Sequence, residues 1–139
     1  MTSIGSAGIT LAAGGGTIDL NGNSVTYANA IGNNGPGALT VKSSLPGGVL
    51  NLPGGNNYSG NTTVTNATLS ANNFTGSATG SGSVLVQNAG VLSGNGALAG
   101  SVTIAAGGTL SVGNASDSLA LGNNLTQNAG SATRLQIQH

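Results

Sequence analysis

The sequence predicts an all-β protein, a single right-handed parallel β-helix of about six coils with three short strands per coil and no helix. Three observations predict it. Apolar–X–apolar units recur along the chain, Gly, Asn, Ser or Ala clusters lie beside nearly every unit, and charge is almost absent. One β-helix domain covers 1–139, either whole or as a segment of a larger surface protein, and that length is enough to bury a continuous core.

The units are Ile18-Asp19-Leu20, Leu39-Thr40-Val41, Leu50-Asn51-Leu52, Val84-Leu85-Val86, Val102-Thr103-Ile104, Leu110-Ser111-Val112, Leu119-Ala120-Leu121 and Leu135-Gln136-Ile137. Each has a period of two, which puts its outer side chains on one face of a short strand. The i, i+3, i+4, i+7 spacing of an amphipathic helix is absent.

The corners repeat as well. Leu11-Ala-Ala-Gly-Gly-Gly-Thr-Ile18, Val86-Gln-Asn-Ala-Gly-Val-Leu92 and Ile104-Ala-Ala-Gly-Gly-Thr-Leu110 share one plan, in which a small or amide pair and then Gly follow an apolar strand end. Val64-Thr-Asn-Ala-Thr-Leu69 is a shorter version without Gly, and Gln127-Asn-Ala-Gly130 repeats the corner. Gly and Asn suit corners that need positive φ.

Coils then begin near Ile9, Ala38, Thr62, Ser83, Ser101 and Asn124, with an uneven period of roughly 20 residues that falls in the solenoid range. Corners of a solenoid absorb such length variation. Inward columns follow, with Val84 and Val86 stacked on Val102 and Ile104, and with Leu110 and Val112 inward too. An antiparallel sandwich is the competing fold, with Asn21-Gly22 and Asn95-Gly96 as hairpin turns, but the strands are too short for it.

Composition narrows the classes. Charged residues make up 3%, against about 25% in ordinary domains. Disorder would carry low hydrophobicity and no periodicity, whereas mean hydropathy is +0.16. Collagen is excluded because Gly does not recur at every third position. With no cysteine there are neither disulfides nor thiolate metal sites. The N-terminal stretch lacks the basic and apolar regions of a signal peptide, and no apolar run approaches the ~20 residues of a membrane span. Zero net charge offers no handle for nucleic acid or anionic lipid.

The segment from Gly48 to Ala71 closely resembles the autotransporter-associated β-strand repeat. Leu50, Leu52, Gly55, Asn57, Tyr58, Gly60, Thr62 or Thr63, Val64 and Leu69 occupy matching places, with one-residue shifts. Two departures are Asn66-Ala67, where the repeat usually has a Gly-bearing corner, and Pro53 after the second Leu. The stretch from Ser83 to Asn114 is similar to the rungs that follow this repeat. The resemblance implies a passenger-like, extracellular β-helix of the kind found in bacterial adhesins and other surface proteins. It marks a rung and assigns no activity.

Chemistry has few candidates. Asp19 and Asp117 are the only carboxylate side chains, about four coils and so about 19 Å apart, beyond the ~5–9.5 Å of a glycosidase pair. His139 is the last residue. Gly14-Gly15-Gly16 and Gly107-Gly108 lack the repeated aspartates of calcium-binding nonapeptides. Six sequons, at Asn57, Asn61, Asn66, Asn73, Asn114 and Asn124, are little more than an Asn-, Ser- and Thr-rich chain generates by chance. Outward Thr40 and Thr103 suggest an ice-binding face, but they alternate with Asn51, Ser111 and Ala120, and Thr-X-Thr appears only at Thr63-Val-Thr65. Tyr27, Tyr58 and Phe74 are candidates to stack on sugars, or else to cover corners.

The expectation is therefore no enzyme, with no catalytic, cofactor-binding or metal residues and no cofactor. The leading role is an extracellular or cell-surface structural subunit, stacking head to tail with itself through uncapped ends into a filament or forming part of a surface fibre. The alternative is an adhesin-type module that recognises glycans or surfaces through Asn- and Thr-rich faces.

Overall fold

The computed structural model describes residues 2–3, 8–113 and 118–136. Among them every regular element is a strand, and every pairing is parallel. Neighbouring parallel strands need a long crossover. Here the rest of a coil supplies it, and the result is a β-solenoid.

Two walls carry most of the strands. The first is a seven-stranded sheet of Thr2–Ser3, Ser24–Thr26, Val49–Leu52, Thr68–Ala71, Val91–Gly94, Thr109–Val112 and Ala132–Leu135. The second is a six-stranded sheet of Gly16–Asp19, Leu39–Lys42, Thr62–Thr65, Val84–Gln87, Val102–Ile104 and Leu125–Gln127. The third wall is only partly strand, with Ile9–Thr10 paired to Ile31–Gly32 and Ala97–Leu98 paired to Ala120–Leu121.

Period-two patterning sorts the side chains. Leu39 and Val41 stack on Thr62 and Val64, then Val84 and Val86, then Val102 and Ile104, all buried. Opposite them Leu50, Leu69, Leu92 and Leu110 form a second buried column. Full burial of each such aliphatic side chain contributes about 1.5–3 kcal/mol. Val112 is inward but only partly buried against this core.

Where the third wall is not strand, buried polar side chains complete the backbone bonding that burial demands. Asn56 accepts from the Ile31 amide at 2.7 Å and donates to the Ala78 carbonyl at 2.6 Å, joining the coils on either side of its own. Asn73 Oδ1 accepts from Ala97 N, and Ser77 Oγ accepts from Ala99 N.

Several expectations change. Regular coils start on the second wall at Gly16, not Ile9, and Gly16 pairs with Leu39 on the next coil. The Leu11–Ile18 corner connects the third wall to the second, whereas the Val86–Leu92 and Ile104–Leu110 corners connect the second wall to the first. The same local turn serves both places, with Gly15 N donating to Ala12 O, Gly90 N to Gln87 O and Gly108 N to Ala105 O. Asn66, at φ 50°, turns the short corner where glycine is missing. Asn21-Gly22 and Asn95-Gly96 lie at coil corners, not in hairpins. Leu135 is 67% exposed, so the Leu135–Ile137 unit does not close a buried coil, and Ile137 lies outside the described residues.

Candidate functional site

Asp19 sits at the end of its strand, in register with Lys42 on the next coil. Its carboxylate faces Lys42 Nζ at 3.3 Å and accepts from the backbone amides of Ser44 at 2.9 Å and Asn21 at 3.1 Å. The Ser44 hydroxyl donates to its other oxygen. These donors, Ser44 foremost, hold the carboxyl well below the usual carboxylate range. A carboxylate so engaged fastens two coils together and is poorly suited to carry protons near neutral pH. Asp117 and His139 lie outside the described residues. Among the described residues no three His, Cys, Asp or Glu side chains cluster as a metal would need.

The aromatics separate. Tyr27 and Tyr58 are core residues, 1% and 0% exposed, and neither can stack on a sugar. Tyr58 shares a hydrogen bond of 2.6 Å with Thr62 Oγ1, and burial pushes its phenol far above its ordinary value. Phe74 is 95% exposed. Its loop is held from beneath by buried Asn73, whose amide donates to the carbonyls of Thr75 and Gly76. That role leaves the Asn73 sequon engaged, while Asn57, Asn61, Asn66 and Asn124 are exposed and Asn114 is outside the described residues.

The outward faces of the two walls differ. On the first wall Thr26, Asn51, Ser70, Ser93 and Ser111 form one rank in register. Three of its members are linked, with Asn51 Nδ2 donating to Thr26 Oγ1 at 3.4 Å and the neighbouring Asn72 Nδ2 donating to both Asn51 Oδ1 and Ser70 Oγ. On the second wall the outward rank is Thr17, Thr40, Thr63, Leu85, Thr103 and Thr126. Thr40 and Thr103 thus share a rank from which Asn51, Ser111 and Ala120 are absent. Their alternation along the sequence reflects three walls interleaved in one chain. The coils also differ in length, the one from Leu85 to Thr103 being the shortest, so no fixed period picks out this rank.

An open depression of about 430 Å³ lies on the third wall between Thr10, Asn29, Asn33 and Asn57. Its lining is neutral and holds neither a nucleophile–base pair nor a carboxylate. No helix among the described residues is long and apolar enough to cross a membrane.

No family model, curated protein or solved structure matches the chain. The fold and its surfaces therefore carry the functional reading.

Proposed function

We propose that the chain is a structural β-solenoid of a secreted or surface-exposed protein, built to extend end to end by adding coils. One observation carries this reading. Leu125 pairs with Val102 and Leu135 with Val112, continuing inward columns, yet they are 39% and 67% exposed. Among the described residues, strands Leu125–Gln127 and Ala132–Leu135 each pair on one side only, as do Thr2–Ser3 and Gly16–Asp19 at the opposite end. Such edges recruit another strand unless blocked. Near-zero net charge leaves little repulsion against it. In the isolated chain the next coil comes from a second copy, and this head-to-tail contact propagates. The extracellular setting rests on the resemblance of Gly48–Ala71 to the autotransporter-associated repeat. No reaction is assigned, since Asp19 is consumed in joining coils.

Light scattering and negative-stain microscopy of the purified 139-residue chain test this directly. Rods that lengthen with concentration are expected, and Leu125→Lys should shorten them. A monomer at all micromolar concentrations would remove the assembly reading.

Adhesion is the second reading, and the rigidly held, exposed Phe74 favours it. Binding on a glycan array that is lost in Phe74→Ala would establish it.

A further inference from the structure

We infer that the second wall is a binding face for crystalline water, with the threonine rank Thr17, Thr40, Thr63, Thr103 and Thr126 as its contact surface. The rank occupies the outward position of every strand of the six-stranded sheet except that of Leu85. At the strand spacing it runs about 24 Å with a repeat of about 4.8 Å. That repeat lies close to an oxygen–oxygen repeat of hexagonal ice.

A second observation separates this rank from ordinary surface polarity. Among the described residues, none of these five threonine hydroxyls has a hydrogen-bond partner in the protein, whereas on the first wall Thr26, Asn51 and Ser70 are bonded directly or through the neighbouring Asn72, and only Ser93 and Ser111 of that rank are left open. The threonine donors and acceptors are left to whatever lies outside. Threonine is also stiff at χ1. The paired backbone repeats the Cβ position from coil to coil, and little side-chain freedom remains to be lost on contact. Leu85 interrupts the hydroxyls with an apolar side chain.

The chemistry of the face disfavours charged partners. The only charges beside it among the described residues are Asp19 and Lys42, in the adjoining rank and paired with each other, so no ionic ligand is favoured. The open depression lies on the third wall, lined by Ile9, Asn29 and Asn57, and none of the threonines of this rank lines it. An uncharged rank with one regular repeat suits a surface that repeats in the same way.

The test uses the 139-residue chain in ice-recrystallisation and single-crystal ice-shaping assays at micromolar concentration. Faceted crystals and slowed recrystallisation are expected. Thr63→Lys and Thr103→Lys should each reduce the recrystallisation effect at least tenfold, while Ser93→Lys on the first wall leaves it unchanged. Thermal melts followed by circular dichroism confirm the fold of each variant, and Thr63→Asn replaces any lysine variant that melts early. Unfaceted ice with the parent chain overturns the inference. So does full activity in the folded Thr63 and Thr103 variants. If the Thr63 substitution dissolves assemblies while ice growth is indifferent to the parent, the wall is an interface between copies and the inference falls.

Discussion

Gly82 lies against Gly60 one coil away, so closely that a Cβ on Gly82 would stand 2.1 Å from the Gly60 carbonyl oxygen. The contact belongs to a column. A Cβ on Gly60 would meet the Gly37 carbonyl oxygen at 2.2 Å, and one on Gly100 would meet that of Gly82 at 1.9 Å. These four glycines line the corner that enters the second wall, where successive backbones approach too tightly for any side chain. Gly82→Ala must push two coils apart, and a loss of about 1–3 kcal/mol is expected from overpacking. Chemical denaturation measures it. An unchanged midpoint would show that the corner opens freely.

Val102 stands fully buried between Val84 and Leu125. Val102→Asp places an unpaired carboxylate there and should cost several kcal/mol, or raise the pKa of the new group until it is neutral. A variant that melts with the parent would mean that the inward register is wrong.

Ala89 holds φ at 61°, a region that costs an L-residue other than Asn or Gly about 1–2 kcal/mol. It is an exposed residue of the Gln87–Gly90 turn, with its amide donating to Gly107 O at 2.9 Å. Ala89→Gly relieves that strain but adds about 0.4–1 kcal/mol of unfolded-state entropy. A net gain of about 0.5–1 kcal/mol is expected, read as a higher denaturation midpoint. Ala89→Val should lose stability instead.

The Asp19 carboxyl is depressed on folding, mainly by Ser44, from an ordinary value of 3.8. A depressed carboxyl stabilises the fold above its unfolded pKa, and the contribution is lost as pH falls through the folded value. Melting temperature should therefore decline below about pH 4. The decline should be shallower in Asp19→Asn, with Asp117 and the terminal carboxyl as common background. Identical acid limbs would show that the Ser44 and Lys42 contacts are not maintained in solution.

Tyr58 behaves in the opposite sense. Its raised phenol pKa means stability is full below about pH 10, where unfolded tyrosine begins to ionise, and falls as pH rises beyond that. Ultraviolet titration should show this ring resisting ionisation until the protein unfolds. Tyr58→Phe leaves Thr62 Oγ1 buried without its partner, at a cost of about 1–3 kcal/mol. Ordinary titration of Tyr58 in the folded chain would place it at the surface.

The candidate surfaces were less legible than the fold. Phe74 and Tyr58 both look like lone aromatics in a polar context, yet one is 95% exposed and the other fully buried. Nothing local separates them, because the exposure of each depends on what the neighbouring coils cover. Asn56 and Asn57 are adjacent amides as well. Asn56 is buried and bridges Ile31 to Ala78, while Asn57 faces outward with its Oδ1 accepting from Asn34 N.

By itself the sequence determined that this protein is built of short parallel strands in coils, with Val84, Val86, Val102 and Ile104 inward. Those features are local, since period-two burial and Gly or Asn corners act over a few residues. Only the tertiary structure decided which outward residues share a wall. Thr40 and Asn51, close together in the chain, face different directions, whereas Thr17 and Thr126, far apart in it, stand in one rank. The physical reason is that each corner contributes its own number of residues. Register is set by hydrogen bonding and side-chain stacking between coils, and no fixed count along the chain reproduces it.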